Sequence, residues 1–412
     1  MERKIYTYCS LNNQDYLVGT LWTHIKGKNQ TSSFKYSDEW LSNPLSFPID
    51  PELYLNSSVI HSDKSLFGIF TDCSPDRWGR ILMTRNEKNN ARKENRNPRM
   101  LNDTDYLLLV NDYARQGALR FKLSPEDNFL DFSTVSIPPL IELPKLLSAT
   151  KNFLKNKETS NELRLLLAPG SSLGGARPKA SVINKNGSLC IAKFPKKDDT
   201  NDVVLWEAAA LKLAELSGLK VPKWQLVKID NKTILVIERF DRINNSRLPF
   251  MSAMTMLSAV DGDNSYSYAD LADGIRQYCD NPQLNLEELW KRVLFSTCIS
   301  NTDDHLRNHG FIMENGEWII SPVYDINPNI ENTEFQSTSI INGDFSSSID
   351  TAMDAAYYFE VTGDKVNKIY EEITNAVSKW KNIAAQLGIS NLEISRMNEA
   401  FKFERNVFTP TL

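Results

Sequence analysis

The chain has 412 residues, with 47 basic against 52 acidic side chains, a formal net charge of −5, and 41% hydrophobic against 24% charged residues. This composition excludes a disordered chain, and the length excludes a single small module, so two or three domains with cores of their own are expected. The mildly acidic balance also lacks the basic footprint of a dedicated DNA reader.

Residues 4–60 alternate short β-type runs, Lys4–Cys9 and Tyr16–His24, with Asn-, Ser- and Pro-rich connections, which predicts a small antiparallel sheet. Ser74-Pro75 reads as a helix start, with Ser as cap and Pro at the first helical position, followed by a helix through Trp78, Ile81 and Leu82. The crowd of Arg, Lys, Asn and Glu at Arg85–Arg99 reads as a solvated helix end and loop. A further helix is predicted over Pro139–Lys157. Ala180–Asn184 and Leu189–Phe194 then read as strands joined by Asn186-Gly187, a strong hairpin signal. Asp202–Ser217 has the apolar spacing of an amphipathic helix ended by Gly218. Trp224–Ile229 and Thr233–Glu238 follow as strands around Asn231-Lys232, and a second Asn-Gly hairpin pairs Phe311–Met313 with Trp318–Ile320. Helices are predicted over Tyr268–Cys279, Leu286–Ser300, Ala352–Thr362, Lys365–Leu387 and Leu392–Phe403. The expected class is α+β, with a β-rich N-terminal subdomain over 1–115, a small lobe over 116–250 and a helical lobe over 251–412.

Five cysteines without a C-x-x-C spacing give neither a disulfide framework nor a zinc knuckle, and four histidines offer little to a His-based metal site. No run reaches the length of a membrane helix and the first residues lack an apolar signal core, so a cytoplasmic protein without a membrane partner is expected.

A series of features in chain order points to phosphate chemistry. Gly170-Ser171-Ser172-Leu173-Gly174-Gly175-Ala176-Arg177-Pro178-Lys179 precedes a hairpin, where closely spaced glycines bring backbone N–H groups to phosphate oxygens; alone it equally reads as a surface turn. Lys193 lies on the strand Leu189–Phe194 between apolar neighbours, and points either into a cleft or out to water. Glu207 on the following helix is placed to orient it by an ion pair, or simply faces solvent. Leu235–Arg242 is an apolar strand leaving into a charged segment, either an adenine hinge at Glu238 and Phe240 or a core strand ending in a salt-bridged turn. Asp303 and Asn308 reproduce the D-x-x-x-x-N spacing of a phosphotransferase loop, with Asp as base and Asn on magnesium, and the spacing favours Asp303 over Asp304. Asp325 follows the second hairpin, where kinases place a metal-binding aspartate.

At these residues the chain resembles the HipA family of bacterial serine/threonine kinases, toxins of type II toxin–antitoxin modules. The resemblance runs through Phe67-Gly68-Ile69-Phe70, Pro75-Asp76-Arg77-Trp78-Gly79-Arg80, Ser172–Lys179, Glu238–Arg242, Thr302–Asn308 and Tyr324-Asp325. It implies a two-lobed kinase-like fold with an added N-terminal subdomain, ATP and Mg2+ as cofactors, and a helix-turn-helix antitoxin of HipB type that binds operator DNA. It assigns Asp303 as catalytic base, Asn308 and Asp325 as magnesium ligands, Lys193 as a phosphate ligand and Glu238 with Phe240 as the hinge. Ser172, Gly174, Gly175, Ala176, Lys179 and His305 complete the nucleotide-binding set, and Ser172 falls where the family carries an autophosphorylated serine, with Ser171 beside it. Its best-known members phosphorylate an aminoacyl-tRNA synthetase. The expectation is thus an ATP-dependent protein kinase, with a small-molecule phosphotransferase and a catalytically weak partner of a DNA-binding antitoxin as alternatives.

Overall fold

The computed structural model describes residues 2–27, 29–130, 136–170, 175, 177–196, 199–244 and 246–403. Strands β1 (Glu2–Leu11), β2 (Gln14–Lys26) and β3 (Asn29–Tyr36) form an antiparallel meander, extended by β4 (Ile60–Ser62) and β5 (Leu119–Lys122) in the order β4-β3-β2-β1-β5. The β1–β2 turn is made by Asn12 and Asn13 with φ of 51° and 63°, the double positive φ of a type I′ hairpin that Asn tolerates well. Strand alternation buries Ile5, Cys9, Leu21, Phe34 and Phe121, and a bulge in the β1–β2 register at Val18 buries that residue as well. Gly19 has no alternative there, because a Cβ would lie 2.2 Å from the Lys35 carbonyl oxygen on the neighbouring strand.

Helix α1 spans Arg77–Lys93, so it begins two residues later than Ser74-Pro75 predicts. The Ser74 hydroxyl donates to the Phe70 carbonyl at 2.8 Å and closes the preceding short helix Gly68–Asp72, which leaves Asp76 as the cap position. The predicted helix over 139–157 forms as a 3-10 turn, Leu140–Glu142, followed by α2 (Leu143–Leu154). Helix α3 (Ser160–Gly170) has no counterpart among the predicted elements and runs directly into the Gly-rich segment.

The second sheet runs in the order β6-β7-β9-β8, with β6 Lys179–Ile183, β7 Leu189–Lys193, β8 Trp224–Ile229 and β9 Lys232–Glu238. Both strands of its first hairpin end one residue earlier than predicted. The Asn184 side chain turns back into the loop and accepts the N–H groups of Asn186 and Ser188 at 2.9 and 2.8 Å. The turn of the second hairpin is Asp230-Asn231, one residue before the predicted pair, with Asp230 at φ 50°. Ala180, Val182, Ala192 and Val236 bury one face of this sheet against Trp78, Leu82, Leu146, Phe153 and Leu166 of α1, α2 and α3. Met1–Lys197 and Trp224–Met251 together make one compact unit.

The other unit combines Asp198–Lys223 with Ser252–Leu412. Helix α4 (Val203–Leu216) buries ten of its side chains, more than the single face of an amphipathic helix. Trp206 meets Trp380 and Phe401 at ring distances of 6.2 and 6.0 Å, and those two rings stack at 4.1 Å. Helix α5 spans Tyr268–Tyr278, and the central α6 spans Pro282–Cys298, starting at Pro282 because proline suits a first turn. Strands β10 (Gly310–Glu314) and β11 (Glu317–Ile320) form the hairpin on Asn315-Gly316, with φ of 54° and 88°.

The long helix predicted from Lys365 to Leu387 is two, α7 (Asp364–Val377) and α8 (Trp380–Leu387), because the break at Ser378-Lys379 lets both Val377 and Trp380 enter the core. Likewise the predicted Ala352–Thr362 helix forms as Ile349–Asp354 and a 3-10 turn to Phe359, and Leu392–Phe403 as Asn391–Arg396 and a 3-10 turn to Ala400. All five cysteines are buried, and burial pushes the Cys73 and Cys298 thiols up to about 12. No helix among the described residues is long and apolar enough to cross a membrane.

Candidate active site

In the first unit, antiparallel register places Lys179 directly opposite Lys193. Their neighbours Ala180 and Ala192 point into the core, so by strand alternation both lysines leave the other face, where both remain buried. The register thus sets two lysines opposite each other at the end of the sheet that leads into the Gly-rich segment. Ser171, Ser172, Gly174 and Ala176 lie outside the described residues; Gly175 is described, with φ 81°.

Strand β9 ends at Glu238, and the chain then turns with Arg239 and Asp241 inward. The Asp241 carboxylate accepts from Arg239 Nε at 2.8 Å, Arg242 Nη1 at 2.7 Å and the Gly117 N–H at 2.8 Å. Burial pushes this carboxyl up, but the guanidinium groups of Arg239 and Arg242 outweigh burial and hold it below the usual carboxylate range. Arg239 and Arg242 also donate to the carbonyls of Ala114 and Arg115, each at 2.6 Å. The buried ion cluster fixes the turn on which half-buried Glu238 and Phe240 sit, the latter with its ring 6.2 Å from Phe250, so the salt-bridged turn is what the structure shows at these residues.

In the second unit, α6 runs into the segment 299–309, where two adjacent aspartates take opposite environments. Asp303 is exposed, whereas Asp304 is buried. Asp304 accepts from the Tyr268 hydroxyl of α5 at 2.7 Å and the Ser296 hydroxyl of α6 at 3.1 Å. His309 Nε2 lies 3.1 Å from its other oxygen, an electrostatic contact outside aligned hydrogen-bond geometry. Burial raises the Asp304 carboxyl, but His309, Tyr268 and Ser296 together hold it below the usual carboxylate range, while burial drives the Tyr268 phenol well up. Asp304 is thus the anchor of the loop, which leaves Asp303 as the aspartate open to a substrate.

Asn308 donates from Nδ2 to the Asp303 carbonyl at 3.3 Å, so the two residues of the D-x-x-x-x-N spacing meet across one turn. The segment after β11 closes on the same loop: the Tyr324 hydroxyl donates to the Arg307 carbonyl at 2.7 Å, and the Asn327 N–H to Asn301 Oδ1 at 3.1 Å. Asp325, between them, takes φ 56°, a left-handed conformation unusual outside glycine and asparagine. Asp303, Asn308 and Asp325 are therefore carried by one knot of loops, and the oxygens of Asn308 and Asp325 suit a hard divalent cation. His305 is exposed on this loop, and Glu207 is buried on α4 of the same unit rather than solvent-facing. Pattern reading weighed Asp304 only as the less favoured base and passed over the anchoring roles of Tyr268 and His309, which no local spacing singles out.

A β-rich unit with a Gly-rich hairpin and a helical unit with this loop knot are the two halves of a kinase-like α+β fold. The model described as the HipA-like C-terminal domain matches residues 171–380, and that of the HipA N-terminal domain matches 11–101. The chain belongs to the HipA family. It is 21% identical over 252 residues to the serine/threonine-protein kinase toxin HipA of Shewanella oneidensis, spanning 53% of this chain and 58% of that one. It is 27% identical over 176 residues to toxin YjjJ of Escherichia coli, spanning 39% and 38%. The chain thus covers about half the length of the curated relatives it matches. Its fold matches a chain of the solved complex of Shewanella oneidensis HipA, HipB and operator DNA with a TM-score of 0.63 and 15% identity, over 96% of this chain and 94% of that one.

Proposed function

We propose that this protein is an ATP-dependent serine/threonine kinase of HipA type in which Asp303 is the catalytic base. The observation that carries the reading is the pairing of an exposed Asp303 with a buried Asp304, on a loop that also holds Asn308 and Asp325. Asp303 orients a Ser or Thr hydroxyl and takes its proton as the oxygen attacks the terminal phosphoryl group. Asn308 and Asp325 would hold Mg2+, which when bound supplies positive charge against the phosphate oxygens. Lys179 and Lys193 add fixed charge, the Gly-rich segment from Ser172 through Gly174, Gly175 and Ala176 offers backbone N–H groups, and Glu238 with Phe240 receives adenine. His305, exposed on the same loop, completes the proposed nucleotide-binding set.

The proposed division of the chain is 1–115, 116–250 and 251–412, with the N-terminal part serving the nucleotide site. Ser172 is proposed as an autophosphorylation site, with Ser171 as the alternative position. A HipB-type antitoxin is the proposed partner, supported by the assembly of the Shewanella protein, and it would bring this acidic chain to operator DNA. The first candidate substrate is an aminoacyl-tRNA synthetase, and the proposed site of action is the cytoplasm. Pure protein incubated with labelled ATP, magnesium and cell lysate should transfer label to a protein Ser or Thr, and to Ser172 or Ser171 of its own chain. Absence of any transfer from folded protein would reject the kinase reading.

A further inference from the structure

Asp76 occupies the N-cap position of α1, yet its carboxylate makes no capping bond to that helix. It accepts instead the N–H of Gly175, 99 positions further along the chain. Trp78, in the first turn of α1, adds two more bonds to the same segment. Its backbone N–H donates to the Gly175 carbonyl at 3.3 Å, and its indole Nε1–H donates to the Lys179 carbonyl at 2.9 Å. The opposite arm of the segment meets the same ring. Gly170, the last residue of α3, lies so close that a Cβ on it would stand 3.2 Å from Trp78 Nε1, 2.6 Å from Leu82 Cδ1 and 3.5 Å from the Lys179 carbonyl oxygen. The indole itself has little freedom, being 2% exposed and set edge-on against Phe153 at 5.3 Å. Every one of these residues belongs to the first unit.

We infer that Asp76 and Trp78 are positioning residues that fasten the described flanks of the Gly-rich stretch, Gly170, Gly175 and Lys179, to helix α1, so that the backbone at Gly175 and Lys179 is held ready for nucleotide phosphates. The inference rests on the kinase reading and extends it to residues on the N-terminal side of the chain. An N-cap aspartate ordinarily serves its own helix. Here that side chain and an indole donor are both directed at one backbone segment, and glycine at 170 is what allows the second arm to approach. A segment with several glycines loses much conformational entropy when it orders around a ligand. Fixing Gly175 and Lys179 beforehand lowers that cost and raises affinity for the phosphate part of the ligand. The adenine part, received at the hinge, gains nothing from this fastening.

That division of the ligand gives the test. Calorimetry on the full chain would measure ATP with magnesium, and adenosine, for wild type, Asp76→Ala, Asp76→Asn and Trp78→Phe. Loss of one charge-assisted hydrogen bond predicts ATP binding about tenfold weaker in Asp76→Ala and Trp78→Phe, with adenosine binding unchanged. Asp76→Asn keeps an acceptor oxygen and should restore most of the ATP affinity. Amide exchange at Gly175 and Lys179 should quicken in Asp76→Ala without ligand. Asp76 is only half-buried, so its variants should fold even where Trp78→Phe does not. If ATP and adenosine weaken together, or neither weakens in a variant that melts like wild type, the inference is overturned while the kinase reading stands. Wild-type protein that binds no ATP overturns both.

Discussion

Two neighbouring carboxylates with different surroundings predict two different phenotypes. Asp303 is exposed, so Asp303→Asn should leave thermal melting unchanged while phosphate transfer falls by about 10²–10⁴-fold, the usual weight of a general base. Asp304 faces His309 and accepts two hydroxyls in the interior, so Asp304→Asn should cost about 3 kcal/mol in urea unfolding at neutral pH. The pH dependence has a definite sign. Because the folded state holds the Asp304 carboxyl below its ordinary range, its stabilisation is complete above the unfolded value near pH 4 and is lost as the pH falls through the folded value. The stability gap between wild type and Asp304→Asn should therefore be widest at neutral pH and shrink in acid. A gap that widens below about pH 4 would contradict the assigned environment.

At the scale of elements, the post-hairpin segment and the hinge are each held by their own anchors. Asp325 has a positive φ, so Ala there would add backbone strain to the loss of the carboxylate, whereas Asn tolerates the conformation and removes only the charge. Asp325→Asn and Asn308→Ala should each weaken the magnesium dependence of ATP affinity in calorimetry, with melting little changed. In the hinge, Asp241→Asn leaves the buried guanidinium groups of Arg239 and Arg242 without their counter-ion and should cost about 3–5 kcal/mol of stability. Because Glu238 and Phe240 share that turn, adenosine and ATP should weaken together, unlike in the Asp76 variants. What was legible in the sequence follows from the range of each signal. Asn-Gly at 186 and 315 and the D-x-x-x-x-N spacing act within a few residues, and there the predicted elements are accurate to a residue or two. Ser74-Pro75 misled because Ser74 is already committed backwards to Phe70, and the apolar run from Lys365 to Leu387 hides a break that only the packing of Trp380 requires. Asp304 with Tyr268, or Asp76 with Gly175, are long-range pairings that no local pattern encodes.

Across the whole molecule, each compact unit is assembled from two separate stretches of chain. Helix α4 belongs with residues that follow it by a long interval, and its Trp206 is covered by Trp380 and Phe401. A chain ended after Val377 would keep α4 and α7 but lose that cover. It should show no cooperative calorimetric transition for the second unit, whereas wild type should. The same arrangement sets an order of events during synthesis. At roughly 5–20 residues per second, the apolar helix α4 leaves the ribosome about ten seconds or more before Trp380 exists to pack on it. Throughout that interval Val204, Trp206, Leu211 and Leu213 have no permanent partner from the far end of the chain, so nascent protein is exposed to chaperones and to self-association. Codons that slow translation between α4 and α8 should lengthen that exposure and lower soluble yield, while leaving the stability of the finished protein untouched.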